Sequence, residues 1–184
     1  MNVWEELREK VVTCNKCALA EGRTNAVFGE GDVNTQVVFI GEGPGQEEDR
    51  QGRPFVGAAG KLLDKMIEEI GLKRSDVFIG NIVKCRPPGN RDPKPEEIDA
   101  CKDYLFAQIA FINPKVICTL GRHSLHTLVH PDISISKEHG RAVNKMGKVF
   151  LPMYHPAAAL YRRELLDKLR YDFEQLKRLL ERGV

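Results

Sequence analysis

Four of the five cysteines in this chain fall into two separated pairs, Cys14/Cys17 and Cys85/Cys101. The first pair is a C-x-x-C knuckle, and the second has fifteen residues between its members. Nearly seventy residues lie between the pairs, so the fold must bring them together. Four thiolates at such spacings suit a tetrahedral metal or an iron–sulfur cluster. The fifth, Cys118 in VICTLG, reads as a small buried hydrophobe in a strand. Nothing else in the sequence looks like redox machinery. The metal therefore reads as structural, and the chemistry is to be sought elsewhere.

Three further features could carry it. Gly41–Gly45 (GEGPG) places the carboxylate of Glu42 in a glycine-rich turn directly after a β-branched run. Glycines there let backbone approach a ligand closely, although such a turn is also how a strand simply ends. It is not a dinucleotide fingerprint, because the glycine spacing is wrong and no helix starts at once. Asn81 lies late in an otherwise apolar strand, where a buried amide is as often satisfied by backbone. His155 precedes Pro156 at a strand end, and a lone histidine is more often packed or on the surface. Phe55, in GRPFVG, is core by default and a stacking platform by alternative.

These residues need a scaffold. Trp4, Leu7 and Val11 recur at helical spacing before the knuckle. Strands are expected at Gln36–Gly41, Val77–Val83, Val116–Leu120 and Val149–Tyr154, the last paired in a hairpin with residues near Arg141–Val143. Between them, helices are expected over Gly57–Ile70, capped by Gly71, over Pro95–Phe111 and over Gly121–Val129. A last helix runs from about Ala157 to Leu180, with Leu166, Leu169, Phe173, Leu176 and Leu180 as its apolar stripe. Strands alternating with helices predict an α/β fold, a three-layer α/β/α sandwich around a mostly parallel four-stranded sheet. In such sheets ligands bind beyond the carboxyl ends of the strands, where Glu42, Asn81 and His155 all fall.

The chain has 184 residues, which predicts one domain over 1–184 with a full core. A net charge of +2 is too small to imply nucleic acid by itself. Basic residues nonetheless gather in loops at the presumed ligand end: Lys84, Arg86, Arg91 and Lys94 around the PPGN turn, Arg141, Lys145 and Lys148 in the hairpin, and Arg162 and Arg163 after His155. Their origin in separate loops favours a polyanion site over a merely solvated face. No apolar run approaches the ~20 residues of a membrane helix, and the acidic N-terminus MNVWEELREK lacks the parts of a signal peptide. A cytosolic protein is expected, and in a reducing compartment paired cysteines point to metal rather than disulfides.

Taken in order, these pieces resemble the family 4 uracil-DNA glycosylases, the thermostable iron–sulfur branch of the uracil-DNA glycosylase superfamily. The resemblance runs nearly the whole chain: the Cys14/Cys17 knuckle, GEGPG, EEDRQGRPFVGAAGKLLD from Glu47 to Asp64, GNIVKCRPPGNR from Gly80 to Arg91, Cys101, and HPAAAL from His155 to Leu160. It implies a [4Fe–4S] cluster on Cys14, Cys17, Cys85 and Cys101, with uracil-containing DNA as partner; a monomer with no membrane contact is expected. It implies a DNA repair enzyme that flips uracil from DNA and hydrolyses its N-glycosidic bond, leaving an abasic site.

On the same resemblance, Phe55 stacks on the flipped base and Asn81 reads its edge. Backbone around Gly41, Glu42 and Gly43 contacts uracil, and His155 donates to O2 as charge develops. Glu42 lies by the sugar, orients or activates water, and favours the cationic transition state. Glu48 occupies the position that crowds C5 and disfavours thymine. Lys84, Arg86, Arg162 and Arg163 are candidates for phosphate contacts, and Pro156–Arg163 for the loop that enters the DNA. Two rivals stand beside this reading. A non-catalytic metal- or cluster-bearing nucleic-acid binder accounts for the cysteines and basic loops, but not for Glu42, Asn81 and His155 at adjacent strand ends. An iron–sulfur redox protein needs an electron partner or second cofactor site, and the sequence shows neither.

Overall fold

A computed structural model describes residues Met1–Val184. Its centre is the β-branched run VVFIG, which forms β2 (Val37–Gly41) and is buried throughout. Side chains alternate across a strand, so Val37 and Phe39 enter one apolar layer and Val38 and Ile40 the other. β3 (Phe78–Asn81) and β4 (Val116–Leu120) flank β2 in parallel, and β6 (Lys148–Met153) follows β4, also in parallel.

Two short antiparallel strands close the edges. β1 (Glu30–Gly31) pairs with β3, and β5 (Val143–Lys145) pairs with β6. The sheet therefore has six strands in the order β1-β3-β2-β4-β6-β5, not the four expected. Two- and three-residue strands are too short for an alternation of apolar residues to register. The hairpin onto the last long strand was anticipated; the edge strand at Glu30 was not.

The helices form the outer layers. On one face, Leu63, Met66 and Ile67 of α4 (Ala58–Glu69) and Leu169, Phe173 and Leu176 of α9 (Arg163–Glu181) pack on Phe39, Cys118 and Leu151. On the other, Trp4 of α1 (Val3–Val12), Leu105 and Ile112 of α5 (Pro95–Ile112) and Leu125 and Leu128 of α6 (Arg122–Leu128) cover Val38, Ile40 and Ile117. The three-layer α/β/α architecture is as expected. Shorter helices are α2 (Leu19–Gly22), α3 (Gln46–Gln51), α7 (Ile135–Glu138) and α8 (Pro156–Ala159).

The single C-terminal helix expected from Ala157 is in fact two, α8 and α9, separated at Leu160–Arg162. Arg162 is extended (φ −129°, ψ 104°), and Tyr161 is 92% exposed, so no core contact holds this turn in a helix. No helix is long and apolar enough to cross a membrane.

β2 is followed in the chain by its neighbour on one side, β3, and the chain then crosses to β4 on the other side. The crevice at the carboxyl ends of β2 and β4 is thus a topological switch point, the usual ligand position in open α/β sheets. Register sets the residues there side by side: Gly41 pairs with Asn81, and Leu120 with Met153, two residues before His155.

Candidate active site and metal centre

A cleft of ≈ 370 Å³ opens at this end of the sheet. Glu42, Gly43, Glu48, Phe55, Asn81 and His155 all line it. The rings of Phe55 and His155 lie 5.6 Å apart at 27°. Asn81 is 2% exposed, yet its Oδ1 has no hydrogen-bond partner. A buried, unpaired carbonyl oxygen is costly, so one facing a cleft points to a ligand donor. Gly41 lies behind it: a Cβ there would come within 2.6 Å of both Asn81 Oδ1 and Phe55 Cζ. Only glycine lets the amide and the ring converge.

Phe55 sits at φ +48°, a left-handed backbone that a bulky residue adopts only when its surroundings impose it. Three neighbours do so. The Glu48 carboxylate accepts from the backbone N–H groups of Gly45 (3.0 Å), Val56 (2.9 Å) and Gly57 (2.7 Å). Arg74 donates to the Phe55 carbonyl at 2.9 Å and to that of Pro54, while pairing with Asp64 and Glu30 at 2.8 Å each. Gly60 makes room, since a Cβ there would fall 2.0 Å from the Phe55 carbonyl oxygen. Glu48 therefore borders the cleft with Oε2 engaged by the loop that carries Phe55 and Oε1 by the turn after β2.

Twelve residues line a second, apolar pocket, among them Cys14, Cys17, Cys85 and Cys101. Val11, Leu19, Phe28 and Tyr104 pack around these thiols. Donors already point at three sulfurs: Lys16 N–H at Cys14 (3.5 Å), Arg23 Nη1 at Cys85 (3.2 Å) and Lys84 N–H at Cys101 (3.3 Å). Such N–H···S contacts stabilise thiolates, so the donor set fits a thiolate-held centre. Burial pushes the Cys85 thiol up and the Cys101 thiol to about 11. Cys118 is apart from them, fully buried in β4 as expected.

A family model described as the uracil DNA glycosylase superfamily matches residues 28–179. The chain is 50% identical to the type-4 uracil-DNA glycosylase of Sulfurisphaera tokodaii, over 97% of this chain and 86% of that protein. It is 46% identical to the type-4 enzyme of Thermotoga maritima, over 97% and 95%, and 44% identical to that of Archaeoglobus fulgidus, over 97% and 94%. The chain belongs to the type-4 uracil-DNA glycosylases.

In this type-4 chain the electrostatics of the cleft separate two titratable groups. His155 Nδ1 accepts from Ala157 N–H at 3.0 Å, which caps α8 and leaves the ring proton on Nε2. Burial pushes its pKa down to about 4, only partly opposed by Glu48, so the ring is neutral at pH 7. Glu42 moves the other way, up to about 7, first through burial and then through the neighbouring Asp92, against the pull of Arg122. The strand end before His155 is fixed by the fully buried Asp172, which accepts from Tyr154 N–H (3.0 Å) and meets His139 Nδ1 at 2.6 Å.

One candidate from the sequence is displaced. Lys84 cannot touch a phosphate: it is 1% exposed, and its ammonium donates inward to Gln108 Oε1 at 2.6 Å. Gln108 in turn donates to the Phe28 carbonyl at 2.8 Å. The residue is held between buried Val83 and buried Cys85, so its stem follows the core and finds its acceptor on α5. The other basic candidates stay near the surface. Arg86 is half-buried and bonds Asn90 Oδ1 at 2.7 Å, Arg162 pairs with Glu164, and Arg163 is exposed. Reasoning from the sequence missed Asp92, Arg122 and His123 beside Glu42, and Arg74 and Gly60 around Phe55. The signals available were a carboxylate inside the basic GNRDP stretch and a charged GRHS turn directly after the third long strand.

Proposed function

We propose that this protein, a single domain over 1–184, excises uracil from DNA by hydrolysing the bond between uracil N1 and deoxyribose C1′. The observation that carries the reading is the unpaired Oδ1 of Asn81 in the cleft wall. An amide presents one acceptor and one donor edge, so Asn81 can take uracil N3–H at Oδ1 and give an N–H to O4. Cytosine reverses that pattern at the same edge and would leave buried groups unpaired, a mismatch that discriminates strongly.

Phe55 supplies the stacking face for the flipped base. Gly41 and Gly43 bring backbone close to it. As the glycosidic bond breaks, its electron pair leaves with uracil N1 and negative charge spreads to O2. His155 Nε2–H donates there, a stabilisation worth ~3–4 kcal/mol for a well-placed donor. The sugar becomes cationic, and Glu42 at the end of β2 faces it as a carboxylate. Water adds to C1′ and passes a proton to Glu42, leaving an abasic site. Glu48 acts by holding Phe55, and its engaged carboxylate narrows the cleft beside the base.

DNA would be gripped through local basic loops, with Arg86, Arg162 and Arg163 as phosphate contacts. The turn at Leu160–Arg162, with Tyr161 exposed at its tip, is the segment suited to fill the space left by the base. Cys14, Cys17, Cys85 and Cys101 would hold a [4Fe–4S] cluster. The apolar pocket they share and the N–H donors aimed at three of the sulfurs support that reading. When bound, the cluster ties the N-terminal segment to α5 and to the loop after β3.

The test is alkali cleavage of a uracil-containing duplex after incubation with protein purified anaerobically. Uracil release with strand scission at the abasic site is expected. Tight binding of that duplex without uracil release would leave only the non-catalytic binder.

A further inference from the structure

Two carboxyl groups and one permanent cation meet beside the cleft. Glu42 follows β2, Asp92 comes from the extended segment before α5, and Arg122 and His123 come from the first turn of α6. Arg122 Nη2 bonds Asp92 Oδ2 at 2.7 Å. His123 Nε2 lies 3.4 Å from the same oxygen and 3.8 Å from Glu42 Oε1. An oxygen of each carboxyl and a ring nitrogen of His123 fall within 4.8 Å of one another.

The charges do not balance. Burial pushes the pKa of His123 down despite the pull of Asp92, and Arg122 and His126 oppose its protonation further. Arg91, next in the chain to Asp92, is turned away onto Glu97 at 2.7 and 2.9 Å. Across the cleft, Glu48 is engaged by backbone amides, and His155 is neutral at pH 7. Arg122 is thus the only cation at hand, and it is committed to Asp92. Glu42 has no hydrogen-bonded cation of its own, feels Arg122 only through space, and faces the negative charge of Asp92.

We propose that Asp92, clamped by Arg122, is a positioning residue for Glu42: it presents a fixed negative charge that keeps the Glu42 carboxylate basic enough to take a proton from the attacking water. The inference rests on the reading of Glu42 as the water-side carboxylate. In the step itself, a water O–H bond breaks and its proton goes to Glu42. The oxygen bonds to C1′ as N1 departs with the glycosidic electron pair. A base is most effective when its pKa lies near the working pH, and a like charge a few ångströms away raises a carboxyl toward that range. Asp92, its pKa lowered by His123 and Arg122, stays ionised, so near neutrality the proton that comes and goes belongs to Glu42.

The experiment is the pH profile of single-turnover uracil release, with affinity measured on a non-cleavable duplex analogue. In the parent, the rate should rise with pH through about 7, where Glu42 ionises. Asp92→Asn removes the fixed charge and frees Arg122, so the acid limb should move down by about one pH unit, with a lower plateau and affinity within about twofold. Arg122→Gln removes the cation and leaves Asp92, so the limb should move up. Opposite displacements are something a merely structural role would not produce. Asp92 is exposed, which makes misfolding of its variant easy to exclude by melting, and Arg122→Gln tests the idea independently. If Glu42→Gln loses rate while both other variants keep the parent limb, the role of Asp92 is refuted and that of Glu42 stands. If Glu42→Gln cleaves at the parent rate, the reading of Glu42 fails first and this inference with it.

Discussion

Replacing Glu48 by alanine isolates the frame around Phe55. The substitution deletes an acceptor for three backbone N–H groups, those of Gly45, Val56 and Gly57. Hydrogen bonds to a charged group are worth about 1.5–3 kcal/mol net when well shielded. Glu48 is half-buried, so water can replace part of what is lost. About 3 kcal/mol for the set is therefore the reasonable scale. For a chain of this size that is a melting temperature lower by roughly 6–12 °C. Catalysis should fall further than stability, because without the carboxylate the backbone at Phe55 can relax out of its left-handed conformation. Single-turnover uracil release should drop by more than about tenfold at a temperature where the variant is fully folded. Glu48→Gln keeps one carbonyl oxygen, enough for Val56 and Gly57 but not for Gly45, and should lie between alanine and the parent. The measurements are urea unfolding at neutral pH and cleavage rates on the same preparations. An alanine variant within about 0.5 kcal/mol of the parent and equally fast would show that the loop is held by something else.

Gly41→Ala should abolish uracil release while melting within a few degrees of the parent, because the added methyl meets Asn81 Oδ1 and Phe55 Cζ at 2.6 Å; a rate within threefold of the parent would refute the steric reading. Lys84→Met should leave the salt slope of DNA binding unchanged, since the amine lies in the core, but should speed loss of iron to a chelator, because it removes a buried cation beside Cys101; a slope reduced by about one would return Lys84 to the phosphate contacts. His155 should make stability fall in acid. Its folded pKa of about 4 lies below the ordinary 6.5, so its contribution is complete above pH 6.5 and is lost as the unfolded chain takes up the proton between 6.5 and 4. At about 1.4 kcal/mol per unit the loss approaches roughly 3 kcal/mol. His155→Gln should flatten that part of the stability–pH curve, and an unchanged curve would place the acid sensitivity elsewhere.

The parts legible in the sequence were those that local chemistry dictates. VVFIG reads as a buried strand from its β-branched, uninterrupted apolar run, and the glycines that follow mark its end. The spacing of the cysteines pointed to their meeting in one pocket, and the strand ends carried Glu42, Asn81 and His155 into one cleft. What stayed hidden depends on directions that topology alone sets. Lys84 looked like a surface base among basic neighbours, yet α5 offers it Gln108 from inside. Glu48 reads as one acid in a run of three, and only the folded loop turns it onto three amides. Asp92 and Arg122 are thirty residues apart, and their meeting with Glu42 follows from β4 lying beside β2. On α9 the expected stripe packs on the core, Leu166 and Leu180 in part, and it is joined by Leu165 and by Asp172, which shares the inner face with Phe173 because Tyr154 N–H and His139 await it there.

Phe55 also bears on how this scaffold could be improved. A residue held at φ +48° is one where the chain is less stable than it could be, and glycine or asparagine would occupy that backbone at lower conformational cost. Selection for heat resistance alone would therefore press on this position and on the loop around it, and every gain would come out of the ring proposed to stack on the base. The inverse follows for engineering: stabilising changes belong on the far side of the sheet, around α1 and α5, where nothing is held away from its resting conformation for the sake of a substrate. Stability and activity are opposed here at one backbone angle, and Glu48, Arg74 and Gly60 are what keep the opposition resolved in favour of activity.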